Sequence, residues 1–246
     1  MGSTKSKYRA GQLIYYDSKT DEHILALYPA HYYDEFFGTL RITSAGGDWL
    51  AEDVSSAGST AEAKVANQPG GVVHVALDAT SEQQTAALYF NDVLEIDLDK
   101  GPIVEFRVAL STLPTGLAEV WFGVGNARVA DYRLAASDQG PTIHAAFMFD
   151  GSGACTIHTD DGTTDNDAKS TGVTVVAAAF HLFRIDFTKV ADVKFYIDGE
   201  AVVTGTTFDM SAGTDVVVQP FLVAYKASGT GEGDLYVDAL KWWQKR

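Results

Sequence analysis

Helical periodicity is almost absent from this chain of 246 residues. Apolar residues rarely recur at the three-to-four spacing of an amphipathic helix, which argues against helical bundles and α/β layers. Cysteine occurs once, at Cys155, so an intrachain disulfide framework is excluded. Basic residues are scarce: 18 Lys and Arg stand against 33 Asp and Glu, a net charge of -15. A general nucleic-acid binder needs basic surface for phosphate contacts, so that class is excluded too. No apolar run approaches membrane-spanning length, and the opening MGSTKSKYRAGQ is polar rather than signal-like. The expectation is a chain made in the cytoplasm, with no membrane insertion.

What the sequence does have is alternation. In HLFRIDF, Phe183, Ile185 and Phe187 fall on one side of an extended chain, and Arg184 and Asp186 on the other. That period of two marks a strand with one buried and one wet face. Asp198-Gly199 follows between two such runs, a strong hairpin signal because a type I′ turn needs positive φ at both central residues. Val104, Phe106, Val108 and Leu110 likewise share a face, opposite Glu105 and Arg107.

Strands are expected near 62–67, 71–78, 84–91, 93–99, 103–110, 117–125, 130–135, 142–149, 154–159, 172–177, 181–188, 192–198, 201–206, 216–225 and 234–243. Such spacing predicts an all-β sandwich or barrel. VVAAAF at 175–180 could hold one helical turn, SAGGDWLAEDVSSAGST reads as loop, and 159–172 reads as a polar excursion. Pro29 forbids an uninterrupted central strand around it, and Tyr28, Tyr32, Tyr33, Phe36 and Phe37 read as core filling at one end. No linker or internal repeat divides the chain, so residues 1–22 are read as an N-terminal arm and 23–246 as a single domain.

Charge is unevenly placed. Lys5, Lys7 and Arg9 at one end, and Lys241, Lys245 and Arg246 at the other, lie in stretches without acids. Basic ends on an acidic body could dock on an acidic neighbour, including another copy of the chain, although termini that collect Lys and Arg for solubility are the competing and preferred reading. The arm, with Lys5, Lys7, Arg9, Leu13, Ile14, Tyr15 and Tyr16, could add a strand to a partner's sheet edge and pair only when docked.

Several residues could carry chemistry. In LEIDLDKG, Glu95, Asp97 and Asp99 would project from one face of a strand, as the paired carboxylates of glycoside cleavage require. A solvated polar face is the competing reading and is preferred. Asp160, Asp161, Asp165 and Asp167 offer oxygens for calcium, without the EF-hand order and without a closing glutamate. His144 and His158 lie in neighbouring expected strands, but no third zinc ligand is legible, and His181 reads as a partly buried core histidine. GTGEG at 229–233 is a bend with no following helix, so it cannot cradle phosphate. Trp242 and Trp243 point to opposite faces of the last strand, so one is expected to pack in the core and the other to stack on a glycan or a partner.

The order FRIDFTKVADVKFYIDGE, TGTTFDM and LYVDALKWWQKR resembles the C-terminal half of concanavalin A-like, laminin-G-like jelly rolls. LEIDLDKG also looks like the Glu-x-Asp-x-Glu strand of laminarinase- and lichenase-type hydrolases, with Asp99 a carbon shorter than the terminal glutamate. SKYRAGQLIYYD, LPTGLAEVWFGVG and TDDGTTDNDAKSTGVTV add a likeness to structural proteins of tailed phages and prophages. The resemblance implies an antiparallel two-sheet jelly roll with an extended N-terminal arm. It further implies a non-enzymatic virion protein, made in the host cytoplasm, that decorates and cements the head. Its partners would be the major capsid protein or other virion proteins, and copies of itself in a homo-oligomer. No cofactor is expected beyond calcium. A carbohydrate-binding module displayed on the virion is the first alternative, and a laminarinase-type glycoside hydrolase the second.

Overall fold

The computed structural model describes residues 4–9, 12–17, 23–24, 30–36, 49–68, 70–127, 141–212 and 216–245. In chain order the strands begin with β1 (Thr4–Arg9), β2 (Gln12–Asp17), β3 (His23–Ile24), β4 (Ala30–Asp34), β5 (Leu50–Val54), β6 (Ala61–Lys64) and β7 (Val73–Ala76). Then come β8 (Gln84–Tyr89), β9 (Ile96–Asp97), β10 (Ile103–Thr112), β11 (Ala118–Gly125), β12 (His144–Phe149) and β13 (Ala154–Asp160). The last are β14 (Asp165–Thr174), β15 (His181–Asp186), β16 (Lys194–Ile197), β17 (Glu200–Val202), β18 (Val217–Lys226) and β19 (Asp234–Gln244).

Two sheets face each other. Sheet I runs β17-β16-β15-β10-β19-β7-β6, with β4 added beside β19. Sheet II runs β14-β13-β12-β11-β18-β8-β5, with β9 added beside β18. Neighbouring strands in both sheets pair antiparallel. This is the concanavalin A-like jelly roll. A third, small sheet of order β1-β2-β3 shares no ladder with either of them among the described residues.

The alternation read from sequence is what builds the interlayer core. Phe183, Ile185 and Phe187 are buried, as are Val104, Phe106, Val108 and Leu110. Their rings meet those of the opposite sheet: Phe183 lies 5.0 Å from both Phe122 and Phe147, edge-on. Burial of each such side chain contributes roughly 1.5–3 kcal/mol. The hairpin also forms as expected. Asp198 (φ 51) and Gly199 (φ 85) both take the left-handed conformation between β16 and β17. Asp198 further accepts the backbone N–H of Leu182 at 2.9 Å, fastening the turn to β15.

Four local readings need correction. The run at 93–99 is only a two-residue strand, because Asp97 caps a 3₁₀ turn at Leu98–Lys100 by accepting Asp99 N–H. The polar excursion at 159–172 is mostly β14, a ten-residue border strand. Its half-buried and exposed residues alternate without an apolar side, so it carries no hydrophobic pattern. DWLAEDV, read as loop, holds β5, and residues 175–180 form a turn rather than a helical one. The expected strand at 130–135 lies outside the described residues.

At the other end of the chain, Gln12–Asp17 pairs in full register with Thr4–Arg9. The arm's strand therefore finds a partner within its own chain, not only when docked. β4 begins at Ala30 and lies off the main path of sheet I, as Pro29 requires. Phe36 is buried, Tyr32 packs on the core and Tyr33 stands exposed, so core filling holds for two of these three. Tyr28 and Phe37 lie outside the described residues.

Candidate functional site

The two sheets differ on their outer faces. On sheet II, Tyr89, Trp121, Met148, Phe221, Val223 and Tyr225 form a second apolar cluster, and all are buried. Trp121 Nε1 donates to Glu119 Oε2 at 3.1 Å. On sheet I the outward residues of β15, β16 and β19 are only half-buried, and apart from Leu182 and Ala239 they are polar or aromatic. That open face is the candidate site.

Register assembles it. One rung crosses β4, β19, β10, β15 and β16 and places Tyr33, Lys241, Glu105, Arg184 and Tyr196 side by side. Glu105 is buried, and both its carboxylate oxygens are held. Arg184 Nε donates to Oε1 at 2.6 Å, and Lys241 Nζ lies 2.5 Å from Oε2. Arg184 also lies over the Tyr196 ring at 5.6 Å, and Lys241 over Trp243 at 5.6 Å. Trp243 belongs to the next rung, opposite Ile103. One rung the other way, a bulge in β19 leaves Asp238 as the extra residue. Its carboxylate meets Arg107, whose guanidinium covers Phe180 at 4.6 Å. Half-buried aromatic rings with charged donors lying over them suit an oxygen-rich ring ligand.

Trp243 lies on this open face. Trp242 is the one that packs in the core: it is buried between the sheets, stacked on Tyr32 at 6.3 Å, and cannot meet a ligand. The arm residues Lys5, Lys7, Arg9, Leu13, Ile14, Tyr15 and Tyr16 lie on β1 and β2, which share no ladder with either large sheet among the described residues. Glu95, Asp97 and Asp99 do not line up on one strand face, since the strand ends at Asp97.

The acidic loop does not converge either. Asp161 Oδ1 accepts the N–H of Thr163 and Thr164, and its Oδ2 that of Ala212. Asp160 accepts Gly162 N–H, and Asp167 turns to His158 Nδ1 at 3.2 Å. These three carboxylates turn to separate backbone donors or to an imidazole. Among the described residues no group of three or more His, Cys, Asp or Glu could hold a metal.

His158 is fully buried, edge-on to Trp121, with Thr156 Oγ1 3.1 Å from its Nε2. Burial, aided by neighbouring His144, pulls its pKa down to about 3, so it is neutral at physiological pH. Ala168 sits opposite it with φ 47, inside a bulge of β14. The imidazole therefore pins an irregular border strand. His181 is half-exposed and pairs with Asp198 at 2.7 Å, so it braces the hairpin from the sandwich edge. Burial pushes the Cys155 thiol well above its usual range, which leaves it inert.

The bend at 229–233 has a structural task that sequence did not disclose. Lys226 Nζ is buried and donates to the carbonyls of Asp78, Thr80 and Gly231 at 2.5, 2.8 and 3.1 Å. A Cβ on Gly231 would stand 2.3 Å from the carbonyl oxygen of Thr115, so only glycine lets the bend close there. Beside it, Glu82 accepts the backbone N–H groups of Ser56, Ala57 and Gly58, and Asp78 that of Ser59. The signal that could have flagged this clasp is a lysine following the apolar run FLVAY.

No protein-family model matches the chain, and no curated protein matches it. Solved structures do. A protein of unknown function from Shewanella oneidensis MR-1 is similar with a TM-score of 0.58 and 8% identity, over 87% of this chain and 86% of that one. The carbohydrate recognition domain of Emp46p, in a potassium-bound form, is similar with a TM-score of 0.51 and 10% identity, over 81% and 89%. A beta-1,3-glucanase from Mycobacterium marinum is similar with a TM-score of 0.50 and 15% identity, over 89% and 99%.

The shared feature is the lectin- and glucanase-type jelly roll. This corrects the expectation of a non-enzymatic chain, because the sandwich is one that a glucanase is built on.

Proposed function

We propose that this chain is a carbohydrate-binding protein whose binding face is the open outer face of sheet I. The observation that carries the reading is the pair of half-buried aromatics, Tyr196 and Trp243, set on adjacent rungs and edged by Arg184 and Lys241, which Glu105 holds from beneath. Sugar rings stack on such planes and bond to such edges. Likeness in fold to a carbohydrate recognition domain supports the reading. A glycan array with purified protein tests it: the wild-type chain is retained and Trp243→Ala is not. Absence of retention for every glycan at high protein concentration overturns it. Laminarin turnover, measured alongside, reports whether glucan hydrolysis accompanies binding.

A second reading is favoured by the small β1-β2-β3 sheet, which leaves β1 at an edge and shares no described ladder with the sandwich. In it, residues 1–22 are an arm on a single 23–246 domain, and the chain decorates a phage head. The arm docks on the major capsid protein or another virion protein, and the copies associate as a homo-oligomer. Deletion of residues 1–16 then gives a folded protein that is not incorporated; full occupancy of particles by the truncated form sinks this reading.

A further inference from the structure

The chain is strongly acidic overall, with a net charge of -15. The open face of sheet I nevertheless shows cations to solvent. In the central rung the carboxylate lies beneath its partners: the Glu105 side chain is 2% exposed, Arg184 37% and Lys241 43%. Two cations share that one carboxylate, so the rung carries a net positive charge. The neighbouring pair repeats the order, with Arg107 48% exposed and Asp238 21%.

All three cations lie against a ring, over Tyr196, Trp243 and Phe180. A ring beneath holds the cation in place. A guanidinium so placed binds carboxylates in a fork geometry that a neutral sugar cannot exploit.

We infer that the open face selects glycans bearing carboxylates, that is, chains containing uronic acids. The proposal rests on the carbohydrate reading above and narrows its ligand class. Ring stacking recognises the sugar, and Arg184, Lys241 and Arg107 recognise its charge. A neutral glucan would satisfy only the first. Single-stranded nucleic acid offers rings and negative charge as well, but the acidic remainder of the chain repels a long polyanion that reaches past this face.

The experiment measures binding of polygalacturonate, neutral laminarin and a single-stranded oligonucleotide to the full chain by calorimetry, at low and high salt. Polygalacturonate binds most tightly, and its affinity falls as salt rises. Arg184→Met weakens it by about tenfold or more, the scale of one charge-assisted hydrogen bond. Since that substitution also leaves Glu105 with a single partner, Arg107→Gln serves as the second variant. It sits outside the buried ion pair, and it weakens binding while the thermal midpoint holds. Lys169→Gln, on the far border of sheet II, leaves binding unchanged.

Equal binding of laminarin and polygalacturonate, insensitive to salt, overturns the charge selection and leaves the carbohydrate reading standing. Failure of both glycans to bind overturns that reading, and this inference with it. An oligonucleotide bound as tightly as polygalacturonate makes the face a general polyanion surface, which also refutes the proposal.

Discussion

Trp49 Nε1 donates to Asp34 Oδ2 at 2.9 Å, joining the entrance of sheet II to the exit of β4 in sheet I. Asp34 also receives Phe36 N–H at 2.6 Å, so one carboxylate ties two chain segments around a buried indole. Replacing Asp34 with Ala strands the indole N–H in the core. The expected loss is about 2–3 kcal/mol of unfolding free energy, measured by urea titration. A loss below that of an ordinary surface substitution would show the tie to be idle.

Trp242 gives the contrasting case. It is equally buried, but its Nε1 meets no acceptor among the described residues. Trp242→Phe therefore removes an unsatisfied donor together with ring volume, while Trp49→Phe removes a satisfied one. Trp242→Phe is expected to be the milder of the two by about 1 kcal/mol. Reversal of that order in paired chemical melts would contradict the packing described.

The Lys226 clasp supplies a third test. Lys226→Met keeps the stem but leaves three carbonyls without their ammonium donor. At about 1–3 kcal/mol for a buried polar group left unpaired, the variant should lose roughly 3 kcal/mol or more. Hydrogen exchange should quicken first around residues 78–80 and 231. Uniform acceleration over the whole sandwich would mean that the clasp is not local.

Acid sensitivity follows from Glu82. Hydrogen bonds from Ser56, Gln84 and Gly58 lower its pKa to about 2. An unfolded glutamate titrates near 4.3. The folded value is the lower one, so its stabilisation is fully present above about pH 4.3 and drains away as pH falls toward 2. Glu82→Gln should flatten the decline of the thermal midpoint across that interval. An unchanged slope in a pH-resolved melting series would contradict the assignment.

The core responds to volume. Phe183→Ala empties a site ringed by Phe122, Phe147 and Phe149 and is expected to cost about 3–5 kcal/mol. Leu117→Ala, on an exposed loop, should change stability by less than about 0.5 kcal/mol. Comparable losses from the two would be incompatible with the burial pattern.

Sandwich, hairpin and core face were legible because their residues obey a period of two with apolar side chains on one side. Phe183, Ile185 and Phe187 announce their strand without reference to anything distant. β14 was illegible for the opposite reason: DNDAKSTGVT has no apolar side, and its Asx residues favour turns when read locally. Pairing with β13 overrides that preference. Glu105 and Arg107 were correctly placed on the outward side, yet Glu105 is buried there by Arg184 and Lys241. Those cations come from strands far apart in the chain, and only ladder register brings them together. Trp243 was within reach as a candidate, whereas its companions on the open face were not.

The bulged border strand pinned by His158 bears on what the protein avoids. A long, flat border presents unpaired backbone groups that can template addition of further chains. Ala168, forced to a φ of 47, breaks that flatness midway along β14, and Lys169 follows directly with a charge. Loss of the imidazole anchor would let the border straighten, and sandwich edges would then begin to stack end on end into insoluble material.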